Sequence, residues 1–116
     1  MGLHIERVGN VAVLVPEGML KGGKETEELE NALRKLVYDK HKKILLDLSK
    51  TSFMSSRAIG VLAATHTSAV NRNLHFCVCN IERRIESVLV LIKLMNMLNV
   101  YDTREDALQA LAKLDS

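Results

Sequence analysis

Apolar positions along the chain switch repeatedly between continuous runs and helical stripes. Val11-Ala12-Val13-Leu14-Val15 is an unbroken apolar run, the pattern of a strand covered on both faces. Leu3, Ile5 and Val8 form a weaker partner run separated from it by Gly9-Asn10, so the two predict an N-terminal hairpin. Pro16 predicts an edge or an interrupted ladder there, and Gly18 and Gly22-Gly23 a turn into a helix. Leu29, Leu33, Leu36 and Val37 then follow helical spacing and place a first helix over residues 24–39. A strand follows at Ile44–Leu48, then a helix burying Ile59, Leu62, Ala63 and Val70, then a strand at Leu74–Cys79. A further helix is expected over Glu82–Met97, apolar nearly all round, with Val90, Leu94 and Met97 offering a surface for self-association or a partner. Thr103 with Asp106 three residues on resembles a capping box opening a last helix with Ala107, Leu108, Leu111 and Leu114 inward.

Alternating strands and helices of this kind predict an α/β layer: a mixed, mostly parallel sheet of four to five strands, about four helices, and an antiparallel N-terminal hairpin. The chain of 116 residues, with one Pro and six Gly, leaves no room for a linker and is expected to form one domain over residues 1–116.

The most informative stretch is Ile44–Leu62, which carries a strand through a polar turn into a helix that opens on Ser55-Ser56. The first N–H groups of a helix lack internal partners and carry partial positive charge. A serine there serves either as a plain cap or, once phosphorylated, as a switch. The order Asp47-Leu48-Ser49, a short turn, Phe53-Met54, the Ser pair and Ile59-Gly60-Val61-Leu62 resembles the signature of the STAS domain. That is the family of bacterial anti-sigma factor antagonists and of the cytoplasmic ends of sulfate transporters. The resemblance extends over nearly the whole chain and implies the STAS fold. Where the family turn reads Asp-Ser-Ser/Ala-Gly, this chain has Ser55, Ser56, Arg57 and Ala58. By resemblance Ser56 takes the phosphoacceptor position, with Ser55 as second choice, and Asp47, Ser55, Ser56, Arg57 and Ile59 form the partner surface. Ser55 stands for the usual Asp and Ala58 for a Gly. The resemblance further implies a regulatory binding module, an anti-sigma factor antagonist engaging an anti-sigma factor or serine kinase. A constitutive scaffold of stressosome or transport-complex type, never phosphorylated, is the alternative.

Composition narrows the classes left. A net charge of +2 with no Trp, two Tyr and two Phe lacks the basic, aromatic face of nucleic-acid binders. The basic run Lys40-His41-Lys42-Lys43 is expected to coat a loop after the first helix. The chain start does not follow a signal-peptide or myristoylation pattern, and the most apolar run, Val88–Ile92, is short of the ~20 residues a membrane span needs. Cytoplasmic residence without membrane insertion is the expectation. Cys77 and Cys79 lie at i and i+2 on one strand, about 7 Å apart, and are expected to be free thiols. His75 shares their face, yet a straight strand spreads the three over about 13 Å, too far for one metal. His66 has no Ser or carboxylate partner in triad order, and Gly22-Gly23-Lys24 lacks the spacing of a phosphate loop. No enzyme, cofactor or metal is expected; a small enzyme or nucleotide-binding protein is the remaining class.

Overall fold

The computed structural model describes residues 2–82 and 97–114. Strands β1 (Gly2–Val8) and β2 (Val11–Leu20) form the expected hairpin. Gly9 at φ 60° opens its two-residue turn, a conformation that Gly adopts at no steric cost. Helix α1 (Lys24–Tyr38), strands β3 (Lys43–Asp47) and β4 (Thr51–Met54), helix α2 (Ser56–Asn71), strands β5 (His75–Cys79) and β6 (Asn99–Tyr101) and helix α3 (Arg104–Ala112) follow. The six strands make a mixed sheet ordered β1-β2-β3-β5-β6, antiparallel only at β1/β2, with β4 paired to β2 off that path.

The expected four to five strands become six because β4 and β6 are short. β4 carries Thr51-Ser52-Phe53-Met54 and β6 only Asn99-Val100-Tyr101, too little for an alternation to register. The expected fourth helix, with Val90 and Leu94, lies outside the described residues, and Met97 is 46% exposed. Among the described residues there are three helices.

Strand β2 explains Pro16. It pairs with β3 from Val11 to Leu14 and with β4 from Gly18 to Leu20, so Pro16 falls in the gap between two parallel ladders, where no N–H is demanded. Its carbonyl accepts from Thr51 Oγ1 at 3.0 Å. The expected interruption is therefore a change of partner within one continuous strand.

Both faces of the sheet are covered, which is why β2 and β3 read as unbroken apolar runs. On one face Leu14, Ile44, Leu46, Phe76 and Val78 pack with Leu29, Leu33 and Val37 of α1 and Leu62 of α2. On the other, Val11, Val13, Val15, Leu45, Cys77 and Cys79 meet Ala107 and Leu111 of α3. Each fully buried aliphatic side chain contributes about 1.5–3 kcal/mol. Two expected inward residues and one expected outward residue differ. Val70 and Leu114 are exposed: in the last turn of α2 it is Ala69 that faces the core and Val70 that turns outward, and Leu114 lies beyond α3. Lys43 leaves the expected solvated basic run: it is buried at the start of β3, with Nζ donating to the Leu114 carbonyl at 3.1 Å.

Candidate functional site

Three segments meet at the start of α2. β4 pairs Met54 with Leu20 at the end of β2, and the Ser55 N–H donates to the Leu20 carbonyl at 2.8 Å. Ser55 is the N-cap: its backbone is extended (φ −74°, ψ 167°) and its Oγ accepts from the Ala58 N–H at 3.2 Å. The Ile59 N–H bonds the Ser55 carbonyl at 3.0 Å. Ser56 is the first helical residue and is exposed. Among the described residues the N–H groups of Ser56 and Arg57 have no hydrogen-bond partner, and the first turn of α2 holds no acidic side chain. A helix opening of that kind favours a negative charge placed against it.

The two serines are thus inequivalent. Ser55 is half-buried, spends its hydroxyl on the cap, and faces the turn at Gly22. Gly22 stands at φ 92°, and a Cβ there would come within 3.1 Å of Ser55 Oγ. The left-handed backbone favours a residue without a side chain, and an added methyl would press on the cap. The composition of the segment named the glycines as a turn; that Gly22 seats the cap follows from the tertiary contact alone.

Arg57 is exposed but engaged. Its guanidinium donates to the Gly22 carbonyl at 2.7 Å and reaches Glu30 Oε1 at 3.4 Å. It ties α2 to the turn before α1. That turn is held from the other side by the Gly22 N–H on Thr26 Oγ1, 2.9 Å, and the Lys21 N–H on Glu25 Oε1, 2.7 Å. Backbone hydrogen bonds from its own amide and from Lys21 hold the Glu25 carboxyl below the ordinary range.

Ile59 and Asp47 are placed elsewhere than on an open surface. Ile59 is buried in the core, and Ala58 is wholly buried beside it. Asp47 is 3% exposed at the end of β3. Its Oδ1 accepts from the Ser49 N–H at 2.9 Å and Asn80 Nδ2 at 3.0 Å, and its Oδ2 from Arg104 Nε at 2.9 Å. Burial alone would raise its pKa, but the hydrogen bonds from Asn80, the Ser49 amide and Arg104 outweigh it and hold the carboxyl below the ordinary value. Arg104 also donates to Glu6 Oε1 at 3.2 Å. Asp47 therefore anchors α3 to the sheet and sets the turn after β3, away from the serines. Asn80 and Arg104 carry no sequence signal for this role, being distant from Asp47 along the chain.

Sequence reasoning passed over an apolar pair beside the serines. Met19 and Phe53 face each other in the β2/β4 register and are 45% and 44% exposed. Met19 also borders a groove of about 410 Å³ between the start of β1, the end of β2 and the start of α1, floored by Leu3, Pro16, Leu20 and Leu29. Large apolar side chains left outward beside a helix opening are the usual material of a contact surface.

Cys77 and Cys79 are buried and unpaired, as expected. Burial pushes the Cys77 thiol up to about 11; burial, then the Asp47 charge, push Cys79 to about 12. Among the described residues no helix is long and apolar enough to cross a membrane.

A family model, the STAS domain, matches residues 3–107. An anti-sigma factor antagonist from Mycobacterium paratuberculosis is similar in structure at a TM-score of 0.84, with 26% identity over 96% of this chain and 93% of that one. A Thermotoga maritima protein described as a candidate anti-sigma factor antagonist gives a TM-score of 0.88 at 21% identity, over 96% and 95% of the two chains. The Bacillus cell-fate determinant SpoIIAA in its phosphorylated form gives 0.75 at 16% identity, over 95% and 99%. No curated protein matches the chain in sequence. The strand order, the capped helix opening after β4 and the match over nearly the full length agree, and the chain belongs to the STAS domain family.

Proposed function

We propose that the chain is a regulatory binding module of the anti-sigma factor antagonist type, residing in the cytoplasm, whose contact surface comprises Ser56, Arg57 and the exposed pair Met19 and Phe53. Its partner is an anti-sigma factor that is also a serine kinase, and phosphorylation of Ser56 breaks the contact. The observation carrying this reading is the inequivalence of the serines: Ser56 presents an exposed hydroxyl on the first helical residue, beside two amides that have no partner among the described residues, while Ser55 is occupied as the cap. A phosphate on Ser56 adds about −1.5 to −2 charges next to those amides, so the fold tolerates it. The same charge and its hydration oppose a partner docking over Phe53 and Met19. Ser55 in place of an acidic residue removes a repulsion that would act on the phosphate. Asp47 and Ile59, both buried, contribute by shaping the segment rather than by contact.

Incubation with a candidate anti-sigma kinase and ATP, read by intact mass, should add one phosphate, about 80 Da, and Ser56→Ala should abolish the gain. In calorimetry Ser56→Ala should bind the kinase as the parent does, and Ser56→Asp at least tenfold more weakly, ~1.4 kcal/mol. Equal binding by Ser56→Asp together with no mass gain would instead favour the constitutive scaffold.

A further inference from the structure

Strand β1 is an edge: among the described residues it pairs with β2 alone. The hairpin tells which of its backbone groups are spare. A two-residue turn closes on a pair that exchanges both hydrogen bonds, here Val8 and Val11. Alternation then directs Glu6, His4 and Gly2 toward β2, and Arg7, Ile5 and Leu3 outward. Pro16 agrees, since it lies opposite Leu3, has no N–H to give, and turns its carbonyl toward Thr51 on the side away from β1. The outer edge therefore presents the N–H and C=O groups of Leu3, Ile5 and Arg7.

Edges are normally blunted by Pro, charged side chains and Lys above all, a bulge or shortness, and the charges that β1 carries are Glu6 and Arg7. β1 has seven residues, no Pro, no Lys and an unbroken register with β2. Ile5, at its centre, is 51% exposed. We infer that a second copy of this chain adds to the edge, β1 pairing antiparallel with β1 about a two-fold axis through Ile5.

The register follows from the residues. With the axis at Ile5, Ile5 faces its own counterpart and Leu3 faces Arg7 of the second copy, so every outward residue meets an outward residue and makes both of its hydrogen bonds. His4 then faces Glu6 of the second copy, twice over. The same two side chains already meet within one chain, Nε2 to Oε2 at 3.5 Å. Moving the axis to Glu6 would set carboxylate against carboxylate, and moving it to His4 would set imidazole against imidazole; both also lose a facing outward pair. Only the Ile5 axis combines complementary side chains with a full set of backbone bonds. Because β1 and β4 flank β2 on opposite sides, the pairing leaves Ser56 open in both copies, and it holds or fails independently of the phosphorylation reading.

The test is sedimentation velocity on the full chain from micromolar to millimolar concentration, since one strand pair buries less than the ~1,200 Å² of a tight interface. The parent should move from monomer to dimer. Ile5→Lys, which sets two ammonium groups face to face, and His4→Glu, which sets carboxylates against Glu6, should each raise the midpoint at least tenfold. Ile5→Pro, which deletes an outward N–H only, should stay monomeric, with circular dichroism checking that each variant remains folded. A parent that is monomeric throughout overturns the inference. So does a dimer that survives in folded Ile5→Lys, because another surface would then be holding it.

Discussion

At the scale of single residues, the opening of α2 rests on two side-chain roles that neighbouring letters conceal. Ser55 caps the helix through the Ala58 amide, so Ser55→Ala should cost about 1 kcal/mol of unfolding free energy, measured by urea denaturation, while Ser56→Ala should cost far less. Gly22→Ala should cost about 1–2 kcal/mol, because the left-handed backbone strains any side chain and the new methyl presses on the cap. Asp47 gathers three partners at the end of β3. Asp47→Ala removes the acceptor for Arg104, Asn80 and the Ser49 amide together and should cost about 2–4 kcal/mol in the same assay. A loss under 1 kcal/mol would show that solvent replaces these partners.

At the scale of elements, long periodic segments were legible and short ones were not. α1 was expected over 24–39 and spans Lys24–Tyr38, since its apolar stripe and its acidic first turn point the same way. The Thr103 cap of α3 was likewise readable, and Thr103 Oγ1 accepts from the Asp106 N–H at 3.1 Å. β4 was not readable: its residues qualify as a strand only because β2 continues past Pro16 and offers a second ladder, a fact of tertiary pairing. The same limit applied to the site. The helix opening and Ser56 could be found from the turn and the resemblance, whereas the outward placement of Met19 and Phe53 depends on that unrecognised strand. Asp47 stood beside the serines in sequence order and went inward, because Arg104 arrives from far along the chain to neutralise it. If β4 presents the contact surface, Phe53→Ala should weaken kinase binding by at least 1 kcal/mol. It should leave the thermal midpoint nearly unchanged, because the ring is half out of the fold already.

At the scale of the whole molecule, the lowered pKa of Asp47 couples the sheet and α3 to pH. A carboxyl whose folded pKa lies below its unfolded value of about 3.9 stabilises the fold above that pH and loses the contribution as pH falls through the folded value. Urea midpoints measured from neutral pH downward should therefore hold steady to about pH 4 and then fall. The gap between the parent and Asp47→Asn should narrow over the same acid range. A gap independent of pH would mean that the Asp47 charge is not what joins α3 to the sheet.

The two thiols beneath α3 give the molecule an internal clock. Both are buried and held protonated far above neutral pH, so alkylating reagents, which react with the nucleophilic thiolate, cannot consume them while the sheet is closed. Iodoacetamide uptake then counts openings of β5 itself. A phosphorylated chain, a dimer and each variant proposed above can be ranked by how slowly they take up the label, without a denaturant and without knowing the partner.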